Sequence, residues 1–216
     1  MFFNKINKKK DKKHIIVYMK FLKILLIIFV FIAGIKPAFC GEDYSELKKE
    51  IIVLYNTNKI KEAYQLISKI PEKERDCELW LLAANITQDY DRTLDAIYLL
   101  QKAITTDPKN YKPYYNLGNL YLRDKKYNSA IYNYKLCLKQ NKEFAYAWYN
   151  MGNAYLGLEN YPKAKSAFMR AISFGLSEPD FYYNLAFTYK KLNKKKQAEK
   201  MLKIYNTLME QMPLND

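Results

Sequence analysis

From about residue 77 onward, large apolar, small and polar residues recur along the chain at a fixed interval of 34 positions. The phrase YYNLGNLY at 114–121 returns as WYNMGNAY at 148–155 and as YYNLAFTY at 182–189. One aromatic column holds Trp80, Tyr114, Trp148 and Tyr182, and one small column holds Ala84, Gly118, Gly152 and Ala186. A later column is alanine in every copy, at Ala96, Ala130, Ala164 and Ala198, and is followed by the large Leu100, Tyr134, Phe168 and Leu202. Within a copy, Trp148, Met151, Gly152 and Tyr155 lie at helical intervals on one face. Ala164, Phe168 and Ala171 do the same in the next segment. The pattern therefore predicts two amphipathic helices per copy, joined by short polar turns such as RDKK or GLEN. Pro162 and Pro179 fit a first helical turn, where a missing N–H costs little. Neither helix could bury its face alone. The columns explain how a pair does so: glycine and alanine let two helices approach closely, and the aromatics fill the space beside them.

The organisation this predicts is a degenerate helical pair at 41–76, followed by copies at 77–110, 111–144, 145–178 and 179–213. In the degenerate pair, Leu47, Leu54, Ala63, Ile67 and Ile70 keep part of the spacing. The last copy ends in an extended helix over about Lys194–Gln211, whose lysine face would serve as a polar cap.

The segment AWYNMGNAYLGLENYPKAKSAFMRAI, from Ala147 to Ile172, resembles the tetratricopeptide repeat, a helix-turn-helix unit of 34 residues. The resemblance covers roughly residues 77–206. It implies an all-α, right-handed superhelical solenoid of tetratricopeptide helix-turn-helix repeats. Ile86 and Thr87 weaken the first copy, and Lys142 and Leu176 stand where the family usually has the proline that Pro108 supplies.

If Trp148, Met151, Gly152 and Tyr155 face the second helix, Tyr149, Asn153 and Leu156 share the neighbouring stripe. By the resemblance, that stripe lines a concave groove. Its other rungs are Tyr115, Asn119 and Leu122 in the preceding copy, and Tyr183, Phe187 and Lys190 in the following one. The first copy contributes Leu81, Asn85 and Gln88. Glu78 and Asp89 charge one end, and Lys190 and Lys191 the other. Tyrosine offers large contact area at low entropic cost, and asparagine can hydrogen-bond an extended backbone in both directions. A protein or peptide partner is expected there. The family often carries Tyr and Asn in this stripe and the whole chain is rich in tyrosine, so the reading that the stripe is no contact surface stays open. A clamp for carboxyl termini is not expected: Asn119 and Asn150 are in place, but Tyr115 and Asp180 stand where cations would be needed.

Charge changes the picture only at the N-terminus. The formal net charge is +14, but residues 1–40 hold nine lysines against the single Asp11, which leaves +6 for the remainder. Ile24–Ile35 is a 12-residue apolar run after Lys20 and Lys23, and KPAFCGED follows it. Such a run has the length of a signal peptide and is short of the about 20 residues that span a bilayer. Met19 then becomes a natural first residue. Three fates stay open: cleavage leaving Gly41 first, lipidation at Cys40, or retention as an uncleaved anchor. The box around Cys40 departs from the lipoprotein pattern at Pro37 and Phe39. Each fate places the repeats outside the cytoplasm, secreted across the membrane into a periplasmic or membrane-associated setting. Cys77 and Cys137 are too few and too far apart for a disulfide framework.

Little in this inventory supports chemistry. The one histidine, His14, precedes the expected mature start, no zinc-like cysteine spacing or phosphate loop occurs, and Cys137 falls in a small-residue packing column. Asp89 and Asp91 read as turn residues. No catalytic residue, metal or cofactor is expected. Nucleic acid is not expected as a partner, because the basic residues concentrate in the leader. The expectation is an adaptor or scaffold of a bacterial cell envelope. The alternative is a permanently docked, membrane-anchored or lipidated subunit of an envelope complex.

Overall fold

The structure, a computed structural model, describes residues 43–89, 92–175 and 177–211, with only the backbone of Asp89. The expectations for the leader, Met19 and Cys40 lie outside the described residues. The chain divides into two units, 1–47 and 48–216, and the helical stack belongs to the second.

All regular structure among the described residues is helical. In order, the helices are α1 (Ser45–Asn56), α2 (Ile60–Lys69), α3 (Cys77–Asp89), α4 (Thr93–Thr106), α5 (Tyr111–Arg123), α6 (Tyr127–Gln140), α7 (Ala145–Gly157), α8 (Tyr161–Ser173), α9 (Pro179–Lys191) and α10 (Lys195–Gln211). A 3-10 turn at Glu72–Glu74 precedes α3. Local chemistry explains the boundaries. Asn110 and Asn160 accept backbone N–H bonds from Lys112 and Lys163, which caps α5 and α8. Pro162 and Pro179 sit in the first turns of α8 and α9. Helices α5, α7 and α9 each end on a left-handed residue, Lys125, Glu159 and Asn193, with φ of 57°, 54° and 55°. The next N–H then reaches back six residues along the chain, counting both ends, as in Lys126 to the Tyr121 carbonyl and Asn160 to that of Tyr155, both 2.8 Å. This is the Schellman closure, which satisfies otherwise orphaned carbonyls. Asn58 (φ 61°) and the Lys59 N–H do the same after α1.

Packing follows the columns. Ala96, Ala130 and Ala164 have no exposed surface, and neither do Leu100, Tyr134 and Phe168. A side chain at Gly118 would collide with the Tyr134 ring, and a Cβ at Gly152 would come within 2.5 Å of the Phe168 ring. The second helix thus presses an aromatic face directly onto the backbone of the first. The last copy departs from this rule: Leu202, the counterpart of Phe168, is 40% exposed. No further described helix follows α10 to cover it. Every buried side-chain polar atom among the described residues is hydrogen-bonded.

Both described cysteines are free thiols buried in these cores. Burial pushes Cys137 up to about 12, and burial together with the Asp107 charge pushes Cys77 up to about 11. The neutral thiol is therefore the form the fold holds. Unfolded thiols ionise near about 8.5, so these two groups add no pH dependence below that pH, and folding stability should fall as pH climbs above it. Iodoacetamide at pH 8 should label neither cysteine until urea unfolds the protein. Rapid labelling of the folded chain, or stability that rises with pH through this window, would contradict the burial.

Candidate interaction groove

The stack is not symmetric across its two sides. Successive first helices touch one another, α5 with α7 and α7 with α9, and no comparable contact links α6 to α8 or α8 to α10. Closer spacing along one side bends the stack, so the first helices line the inside of the curve. The expected groove stripe belongs to these helices.

Asparagines that the stripe did not include hold that inner side together. Asn116 Nδ2 donates to Asn85 Oδ1 at 3.0 Å, Asn150 to Asn119 at 2.9 Å and Asn184 to Asn153 at 3.1 Å. The same amides also donate to phenols, Asn150 to Tyr115 at 3.2 Å and Asn184 to Tyr149 at 2.8 Å. Tyr134 donates its hydroxyl to Asn119 Oδ1 at 2.8 Å. The copies carrying Tyr115 with Asn119 and Tyr149 with Asn153 thus each offer one phenol and one amide oxygen, and the next copy's asparagine bridges both; the first copy, with Leu81 in the phenol position, offers Asn85 alone. These donors are the third residue of the repeated phrase. Their recurrence at 116, 150 and 184 was the available signal.

The expected stripe residues therefore divide. Tyr115 and Tyr149 are half-buried. The Tyr115 ring meets Phe144 edge-on at 4.9 Å between centroids, and the Tyr149 ring meets Phe181 at 4.0 Å. Burial raises both phenol pKa values, against the pull of the asparagine amides that donate to them. Each phenol oxygen thus accepts an amide of the next copy, which fixes its position on the inner side. Leu122 and Leu156 are half-buried against the neighbouring cores. Leu81 is buried, and Gln88 turns back to the Ala84 carbonyl. At the other end, Tyr183 is 51% and Phe187 41% exposed, and Lys190 is exposed. Phe187 stands where the earlier copies carry Asn85, Asn119 and Asn153, so the ladder stops there and an aromatic pair takes over. Lys191 lies over the Phe187 ring at 5.6 Å, and Tyr205 flanks Tyr183 at 5.4 Å.

Three stretches of the chain, 99–132, 145–174 and 179–203, match tetratricopeptide repeat families. This is a tetratricopeptide repeat protein. Its all-α, right-handed superhelical solenoid is also that of solved structures. MamA 41-end from Desulfovibrio magneticus RS-1 superposes with a TM-score of 0.70 at 18% identity, covering 79% of this chain and 97% of that one. A crystal structure of MamA protein gives 0.69 at 20% identity, covering 82% and 100%. A search of curated proteins finds no match. The tetratricopeptide array is a protein-interaction scaffold. Among the described residues, no group of three or more His, Cys, Asp or Glu could hold a metal ion, and no helix is long and apolar enough to cross a membrane.

Proposed function

We propose that this tetratricopeptide repeat protein is an extracytoplasmic adaptor that binds an extended protein segment along the inner row of first helices, in assembly or maintenance of a bacterial cell envelope. The observation that carries this reading is the row Tyr115, Tyr149 and Tyr183, in which two phenols are oriented by the ladder and the third is open. A segment lying along the row would give its carbonyls to the phenols and an apolar side chain to Tyr183 and Phe187. Lys190 and Lys191 would favour an acidic residue at that end. The apolar run at Ile24–Ile35 supports export. A permanently docked subunit is the second reading, favoured by the exposed Leu202 and Met209 on α10.

Tyr183→Ala with Phe187→Ala should weaken partner binding about 30-fold, since truncating true anchors costs about 2 kcal/mol or more. Helical circular dichroism should not change. A photo-crosslinker placed at Tyr183 should capture the partner, and one at the outer Tyr132 should not. N-terminal sequencing of the mature protein tests export. Capture at Tyr132 alone, or a cytosolic chain starting at Met1, would remove the groove or the localisation respectively.

A further inference from the structure

On α7 the face opposite Tyr149 and Asn153 looks out between the second helices α6 and α8, whose wider spacing leaves a pocket of about 510 Å³. Its floor is apolar and comes from Leu138, Trp148, Met151 and Tyr155. Four lysines line it: Lys135, Lys139, Lys142 and Lys163. None of the four makes an ion pair among the described residues, and no carboxylate lines the pocket. Lys163 lies over the Tyr155 ring at 5.7 Å, and the Trp148 indole N–H is held by the Lys142 carbonyl at 2.8 Å. The surroundings have the same sign. Helices α6, α8 and α10 carry nine lysines and arginines against Glu199 and Glu210.

We propose that this pocket is a second docking site, taking an acidic peptide segment of a partner protein with one apolar side chain seated on Trp148 between carboxylates that reach the lysines. Charge complementarity selects the carboxylates, and the apolar floor selects the side chain between them. The volume is within the about 300–1,000 Å³ usual for ligand pockets. An anionic membrane would meet the lysines of all three helices as one surface and would leave the recessed floor without a role. The site is on the other face of α7 from the groove, so it stands or falls independently of the groove reading.

A Trp80→Phe background leaves Trp148 as the single tryptophan and an intrinsic reporter. The probe is a synthetic peptide with one leucine flanked by glutamates, compared with its leucine-to-glycine counterpart and with phosphatidylglycerol vesicles. The expected result is a saturable change in Trp148 emission, at least tenfold weaker binding for Lys139→Glu with Lys163→Glu, and little change for Lys195→Glu with Lys196→Glu on α10. The glycine peptide should bind several-fold more weakly. Lys139→Gln with Lys163→Gln, checked by circular dichroism, serves if the charge-reversed protein is misfolded. The proposal is overturned by absent or non-saturable peptide binding, by equal affinity for both peptides, or by equal losses from the two lysine pairs. Vesicle binding without peptide binding would equally overturn it in favour of a membrane surface.

Discussion

Gly152→Leu is expected to lower the melting temperature by about 6–12 °C, the shift that about 3 kcal/mol produces in a chain of this size. The Phe168 ring lies directly on the Gly152 backbone, within 2.5 Å of where a Cβ would sit, and is itself without exposed surface among Ala164, Leu185 and half-buried Tyr149. The ring has no free volume to retreat into, so α7 and α8 must separate. Because each repeat is stabilised by its neighbours, that separation also loosens α9. The collision is specific to one ring, which makes it testable by a double-mutant cycle. Gly152→Ala should be costly alone and much cheaper in a Phe168→Leu background, with a coupling of about 1 kcal/mol or more. Additive effects in thermal unfolding would show that the two residues do not share the contact.

The second large effect separates two tyrosines that occupy the same place in the phrase. Tyr149→Ala should cost about 2–4 kcal/mol in urea unfolding, whereas Tyr183→Ala should cost less than about 1 kcal/mol. Tyr149 loses ring contacts with Phe181 and Phe168 and the bond from Asn184, while Tyr183 gives up one ring contact with Tyr205 and is half exposed. Tyr149→Phe removes the hydroxyl alone and should cost about 1 kcal/mol, the net worth of a typical hydrogen bond. Comparable losses for Tyr149→Ala and Tyr183→Ala would mean that the ladder adds no stability beyond the helix pairs. The contrast also decides which variants can test binding: a Tyr149 or Tyr115 truncation confounds partner contact with stack stability, and Tyr183 with Phe187 does not.

What the sequence by itself determined was set by local spacing. The interval of 34, the two helical faces and the glycine and alanine columns are all properties of residues within one turn or one pair of helices. The close contacts at Gly118 and Gly152 follow directly, since a small residue opposite a large aromatic at that spacing has one good arrangement. The resemblance to the tetratricopeptide repeat rested on those same columns. Periodicity could also say that Tyr149 and Asn153 share a stripe. It could not say what lies across from them, because that depends on how far one repeat is rotated and displaced from the next. The tertiary structure decided it: Asn184 arrives from the following copy, so Tyr149 and Asn153 are bound into the stack, and Tyr183, with no such neighbour among the described residues, is not. Leu202 reads like Phe168 along the chain but is exposed, since no described helix comes after α10. The lysine pocket has the same origin. Its residues come from three helices and the turn that carries Lys142, and the curvature, which brings first helices together and holds second helices apart, opens a space between them.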